Sequence, residues 1–160
     1  MTTELENILH NFNVDNVKKK QLFKSVRKIK KKKLDSVFQE AHESVFKKIN
    51  CLDCANCCKT TSPIFRDADI KRLSKHLRMK PVEFINNFLH IDSDQDYVLN
   101  LSPCIFLNED NTCSVYEHRP LACKGYPHTD RKNVHQVIDL TEKNVEICPA
   151  VCEILEKIVK

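Results

Sequence analysis

Cys51-Leu52-Asp53-Cys54-Ala55-Asn56-Cys57-Cys58 packs four thiols into eight residues, the first three at a two-residue spacing. The stretch has little apolar bulk, so core packing does not explain its cysteines and they read as ligands. A C-x-x-C turn lets two sulfurs converge on one metal at about 2.3 Å, the Zn–S distance of structural sites. Overlapping two such turns, Cys51/Cys54 and Cys54/Cys57, is also how one segment grips several corners of an iron–sulfur cluster. Metal binding is the first inference. The expected fold follows from it: mainly α with a small β-hairpin, the helices packed around a cysteine-rich, metal-stapled loop region.

Upstream, Leu5, Ile8, Leu9 and Phe12 recur at helical spacing after the acidic Glu4 and Glu6, which suit a helix N-terminus. Asp15 or Asn16 can cap the next helix. From Val17 to about Ile49 there is no Gly or Pro, and Phe23, Val26, Val37, Phe38, Ala41, Val45 and Phe46 supply an apolar stripe, so one long helix is expected. It carries Lys18-Lys19-Lys20, Lys24, Arg27-Lys28 and Lys30 through Lys33. Such a run can track phosphates. With sparse aromatics and no nucleic-acid module around it, a solvated face that keeps the chain soluble is the favoured reading. Residues 1–49 are expected as a basic helical segment and residues 50–160 as the cysteine-cluster metal-binding domain.

Downstream, Asp67-Ala68-Asp69 opens a helix to about Leu77 with Ile70 and Leu73 on one side. Pro81 suits the first turn of the next, whose expected buried face is Val82, Phe84, Ile85, Phe88 and Leu89. Tyr97 to Leu101 has strand character. Ile105-Phe106-Leu107 and Cys113 to Tyr116 flank the turn Asn108 to Asn111 and are expected as a hairpin with Cys104 and Cys113 near its ends. Val134 to Leu140 is a candidate strand. Cys148-Pro149 starts a closing helix with Val151, Ile154, Leu155, Ile158 and Val159 as its apolar set.

The nine cysteines are Cys51, Cys54, Cys57, Cys58, Cys104, Cys113, Cys123, Cys148 and Cys152. A secreted disulfide scaffold is opposed by their odd number, by the adjacency of Cys57 and Cys58, and by a polar opening without the apolar core of a signal peptide. Thiolates held by metal in a reducing cytoplasm are expected instead. The longest uncharged run, Tyr97 to Asn108, is too short to span a bilayer, so no membrane association is expected. The net charge of +4 counts the thiols as neutral; eight thiolates with two divalent ions would cancel it, so charge is no argument for nucleic acid. The single glycine, Gly125, excludes Gly-rich phosphate loops and dinucleotide fingerprints.

Cys51-x-x-Cys54-x-x-Cys57-Cys58, followed by Pro103-Cys104-Ile105-Phe106-Leu107, then Cys113 through Arg119-Pro120-Leu121-Ala122-Cys123 and Tyr126-Pro127, resembles the YkgJ-like cysteine-cluster family. Asp69-Ile70, Arg72-Leu73 and Glu83-Phe84-Ile85 look like that family's helical insert. The resemblance runs from about Cys51 to Cys148 and implies zinc or iron chelation without a defined reaction. It also links the chain to the larger flagellin lysine N-methylases, which share the cysteine signature.

The candidate ligands are therefore Cys51, Cys54, Cys57, Cys58, Cys104, Cys113, Cys123 and Cys148. Eight thiolates divide into two tetrahedral zinc sites, with Cys57 expected beside Cys51 and Cys54, and Cys58 beside the downstream thiols. The first three with Cys148-Pro149 equally look like the bacterial ferredoxin spacing, and soft thiolates suit zinc and iron–sulfur clusters alike. Cys152 is either a further ligand or a small buried hydrophobe. Arg119 is expected to hydrogen-bond carbonyls or carboxylates around the metal loops, His118 and His128 to pack, and Tyr116 and Tyr126 to be core residues with a polar tip. The function expected is a zinc- or iron-chelating protein with a structural or metal-handling role. The rivals are an iron–sulfur enzyme or enzyme component, and a nucleic-acid module using the lysine helix. Zinc fully coordinated by sulfur leaves no position for an activated water, which disfavours hydrolysis.

Overall fold

The computed structural model describes residues 1–159. In chain order the helices are α1 (Thr3–Val14), α2 (Asn16–Lys28), α3 (Lys31–Phe46), α4 (Asn56–Thr60), α5 (Asp67–His76) and α6 (Pro81–Phe88). The strands β1 (Leu89–Ile91) and β2 (Tyr97–Leu99) come next, then α7 (Leu121–Gly125), α8 (Ile138–Asn144) and α9 (Pro149–Val159). Single 3-10 turns cover Cys51–Asp53, Tyr116–His118 and Val134–Val137. The fold is mainly α with one small antiparallel hairpin, as the sequence implies. Among the described residues no helix is long and apolar enough to cross a membrane.

The chain forms two compact units, Met1–Asn56 with Pro127–Lys160, and Cys57–Tyr126. In the first, α9 packs against α1, α2 and α3. Its Val151, Ile154 and Leu155 are fully buried against Phe23, Val26 and Phe38, so the basic N-terminal helices have their apolar partner at the far end of the sequence. Asp15 caps α2 by accepting the Lys18 N–H at 2.9 Å. Asp35 accepts the N–H groups of Asn133 (2.8 Å) and Val134 (2.9 Å), fixing the left-handed turn at Asn133 before α8.

Two expectations fail here. The long helix from Val17 to Ile49 is broken, because Ile29 and Lys30 are extended, with ψ of 131° at both. From Arg27 to Lys33 every residue but Ile29 is cationic, and no acid stands among them to relieve repulsion between successive turns. Ile29 meanwhile turns inward to the core. The strand expected at Val134 to Leu140 is helical: Val134, Ile138 and Thr141 are its buried residues, at steps of four and three.

The second unit is built on Phe84, fully buried on α6, whose ring meets that of Phe88 edge-on with centroids 5.3 Å apart and stacks on Phe106 at 6.4 Å between centroids. Ile70 and Leu73 from α5, Leu89 from β1 and Leu99 from β2 complete this core. Val82, expected on the buried face of α6, is 65% exposed because it falls a half-turn away from Phe84. The hairpin pairs Leu89 with Leu99, His90 with Val98 and Ile91 with Tyr97, and Phe65 adds one bridge to Tyr97. The hairpin expected at Ile105 to Tyr116 reduces to a single bridge, Leu107 with Cys113. There Asp110 accepts the Thr112 N–H (3.0 Å) and hydroxyl (2.6 Å), a turn-forming side chain that replaces a strand ladder.

Candidate metal centre

No disulfide joins any of the nine cysteines. In the second unit the short α4 carries Cys57 and Cys58, whose sulfurs lie 4.0 Å apart. The Cys58 carbonyl accepts the Cys104 N–H at 2.8 Å, which ties the cysteine cluster to a loop more than forty residues away. Cys113 pairs with Leu107 in the isolated bridge, the Cys104 carbonyl accepts the Leu107 N–H at 3.0 Å, and α7 supplies Cys123. The charge of Cys58 reaches the other three thiols. Burial pushes Cys123 up to about 12, and the charges of Cys58, Cys104 and Cys113 add to that push. Burial likewise raises Cys104 and Cys113, against N–H donation from Phe106 and Leu107 to the first and from Val115 to the second. The Cys57 thiol pulls Cys58 the other way, down to about 7.

In the first unit the 3-10 turn Cys51–Asp53 carries Cys51 with Cys54 just after it, Cys148 immediately precedes α9, and Cys152 lies within α9. Burial pushes Cys148 up to about 11, with the charges of Cys51 and Cys54 adding to it and N–H groups of Val151 and Ala150 opposing. The Cys54 and Met1 sulfurs are 3.3 Å apart. Cys152 is different: 1% exposed, it donates to the carbonyls of Val145 (3.4 Å) and Cys148 (3.6 Å), as a neutral thiol in the apolar core does. A cavity of about 380 Å³ in this unit is lined by Leu5, Val45, Lys48, Asp53 and Lys157 among others, with no cysteine or histidine, so it is not the thiol site.

Cys57, expected beside Cys51 and Cys54, thus lies with Cys58, Cys104, Cys113 and Cys123 in one unit, and Cys51, Cys54 and Cys148 lie in the other. Among the described residues no three His, Cys, Asp or Glu side chains are arranged to hold a metal ion. By chemistry the donors suit a soft or borderline cation. At Cys104, Cys113, Cys123 and Cys148, though not at Cys58, burial and neighbouring thiolates oppose ionisation, a cost that a divalent ion removes, and backbone N–H groups already favour several of the thiolates.

Sequence reasoning missed the residue that braces the second unit. Asp69, 3% exposed, accepts from Arg72 Nη2 at 2.5 Å, from the Leu121 N–H at 3.2 Å and, through its other oxygen, from the Arg66 N–H at 3.2 Å. Arg72 donates in turn to the carbonyls of His118 (3.2 Å) and Arg119 (2.9 Å). Together they hold the segment from Tyr116 to Leu121 against α5 and aim α7 with its Cys123. Arg119 donates to the Tyr116 carbonyl at 3.0 Å, and its charge offsets a small part of the rise at the Cys113 and Cys123 thiols. Tyr116, expected in the core, is 55% exposed because the Arg119 guanidinium, 3.6 Å from its ring centroid, covers one face instead. His118 stacks on His76 at 4.1 Å. Burial lowers the His128 pKa.

Helical packing with thiols drawn together from distant parts of the sequence defines a cysteine-cluster protein. The profile of the CxxCxxCC family, described as a putative zinc- or iron-chelating domain, matches residues 50–153, and the chain belongs to that family. No curated protein and no solved structure matches it significantly.

Proposed function

We propose that the chain binds zinc through its cysteines and that the metal's role is structural or a matter of metal handling rather than catalysis. One observation carries the reading: the Cys104 N–H donates to the Cys58 carbonyl at 2.8 Å and the charge of Cys58 reaches Cys104, Cys113 and Cys123, although long stretches of chain separate them. These four would hold one ion, with Cys57 beside them. Cys51, Cys54 and Cys148 would contribute to another in the first unit. Bound zinc neutralises thiolate charge and ties loops that lack apolar surface of their own; closure of the sulfurs belongs to the binding step, as in small domains where metal affinity is folding energy. Such thiolates persist in a reducing compartment, for which the cytoplasm is the natural candidate.

A second reading, an iron–sulfur cluster, is favoured by the electrostatic tie of Cys148 to Cys51 and Cys54 and by Pro149 after it, the ferredoxin-type order. Oxygen-free purification with elemental and acid-labile sulfide analysis tests both. Colourless protein with at least one zinc per chain, lost in Cys58→Ser and Cys123→Ser, is the expected result. Brown protein with labile sulfide, lost in Cys54→Ser and Cys148→Ser, selects the second reading. Protein without either metal refutes both.

A further inference from the structure

The structure divides the cations of α2 and α3 into two groups. On α2, Lys18 pairs with Glu156 of α9 at 2.6 Å, Lys19 with Glu146, and Arg27 with Asp139 (2.8 Å) and Glu142 (2.6 Å) of α8. Lys20, Lys24, Lys28, Lys31, Lys32 and Lys33 are all exposed, and none has a carboxylate partner among the described residues. No acid stands on α2, and the first on α3, Asp35, is engaged by the N–H groups of Asn133 and Val134. Solubility alone does not account for seven unneutralised cations within fourteen residues, Lys30 between the helices included, when α2 pairs three of its own six.

We propose that Lys20, Lys24, Lys28 and the lysines opening α3 form a docking surface for the phosphate backbone of double-stranded DNA. Lys20, Lys24 and Lys28 follow one another at four-residue steps, so they share one face of α2 and advance about 6 Å per step. Their span of about 12 Å along the helix meets several phosphates of a DNA duplex, which carries one charge per about 1.7 Å of axis, whereas duplex RNA is recognised largely through its 2′-hydroxyls, for which lysines offer no acceptor. A membrane fits less well. Leu22, Phe23, Val26, Leu34 and Phe38 are buried in the protein's own core, leaving Val17 as the exposed apolar side chain of α2. Single strands fit less well too, since α2 and α3 expose no aromatic ring for bases to stack on. What remains is a row of charges on a rigid scaffold, which binds a duplex without reading its sequence.

The test is fluorescence anisotropy of the full chain against a labelled 20-base-pair DNA duplex of arbitrary sequence, between 50 and 200 mM salt. Binding should weaken with a log–log slope of about −5, the value for some six neutralised phosphates. The variant Lys24→Glu/Lys28→Glu/Lys31→Glu should lose more than about 30-fold in affinity and flatten that slope. It removes no buried group and no ion pair, and an unchanged thermal transition verifies that it folds; Lys24→Gln/Lys28→Gln gives the same reading with a milder change. Lys71→Glu/Lys75→Glu, on exposed positions of α5, should bind like the parent. The proposal is overturned by absent binding at the lowest salt, by equal affinity of the triple variant, or by preference for duplex RNA, a single strand or phosphatidylserine vesicles.

Discussion

Asp69 is the side chain on which the loop before α7 depends. Asp69→Ala leaves the Arg72 guanidinium and the Leu121 and Arg66 N–H groups without their acceptor, and should cost about 3 kcal/mol, the low end for a buried pair because Arg72 is a third exposed. Urea unfolding measures it; a loss under about 1 kcal/mol would contradict the bracing role. Asp35 supplies the pH dependence. Hydrogen bonds from Asn133 and Val134 lower its folded-state pKa below the ordinary 3.8. Its contribution is therefore present in full above that ordinary value and is lost as the pH falls through the lowered one. The difference in melting temperature between the parent and Asp35→Ala should be present at neutral pH and close on acidification to about pH 2; a constant gap would exclude the carboxylate as its source. Neither residue was legible in the sequence. Asp67-Ala68-Asp69 reads as an acidic first helical turn, and what buries Asp69 is a loop some fifty residues later.

At the scale of elements, the helix starts that the sequence predicts well are those with a local signal: Asp15 before α2, Pro81 opening α6, Pro149 opening α9. The break between α2 and α3 was hidden because the apolar stripe continues across it, while the repulsion that opens it depends on charges lying outside that stripe. The segment from Val134 was misread because its apolar residues are few, and only their burial reveals a helical step. The cysteines proposed as ligands stand out by spacing alone. Their division does not, since it depends on where the chain returns Cys104, Cys113, Cys123 and Cys148.

At the scale of the molecule, each unit has its own buried core, one around Phe23, Phe38 and Ile154, the other around Phe84, Leu73 and Phe106. Truncating Phe84 to Ala should cost about 3–5 kcal/mol, and Phe38→Ala a similar amount. In native-state hydrogen exchange, Phe84→Ala should lower protection of α5 and α6 and spare α3 and α9, and Phe38→Ala should do the reverse. Uniform loss in both variants would mean that the two cores open as one.

The central claim is that these cysteines are metal ligands. X-ray absorption at the metal edge, on protein purified without oxygen, examines it most directly. Sulfur scatterers at about 2.3 Å, close to four per metal, are predicted; a first shell of nitrogen and oxygen, or no stoichiometric metal at all, would contradict the account.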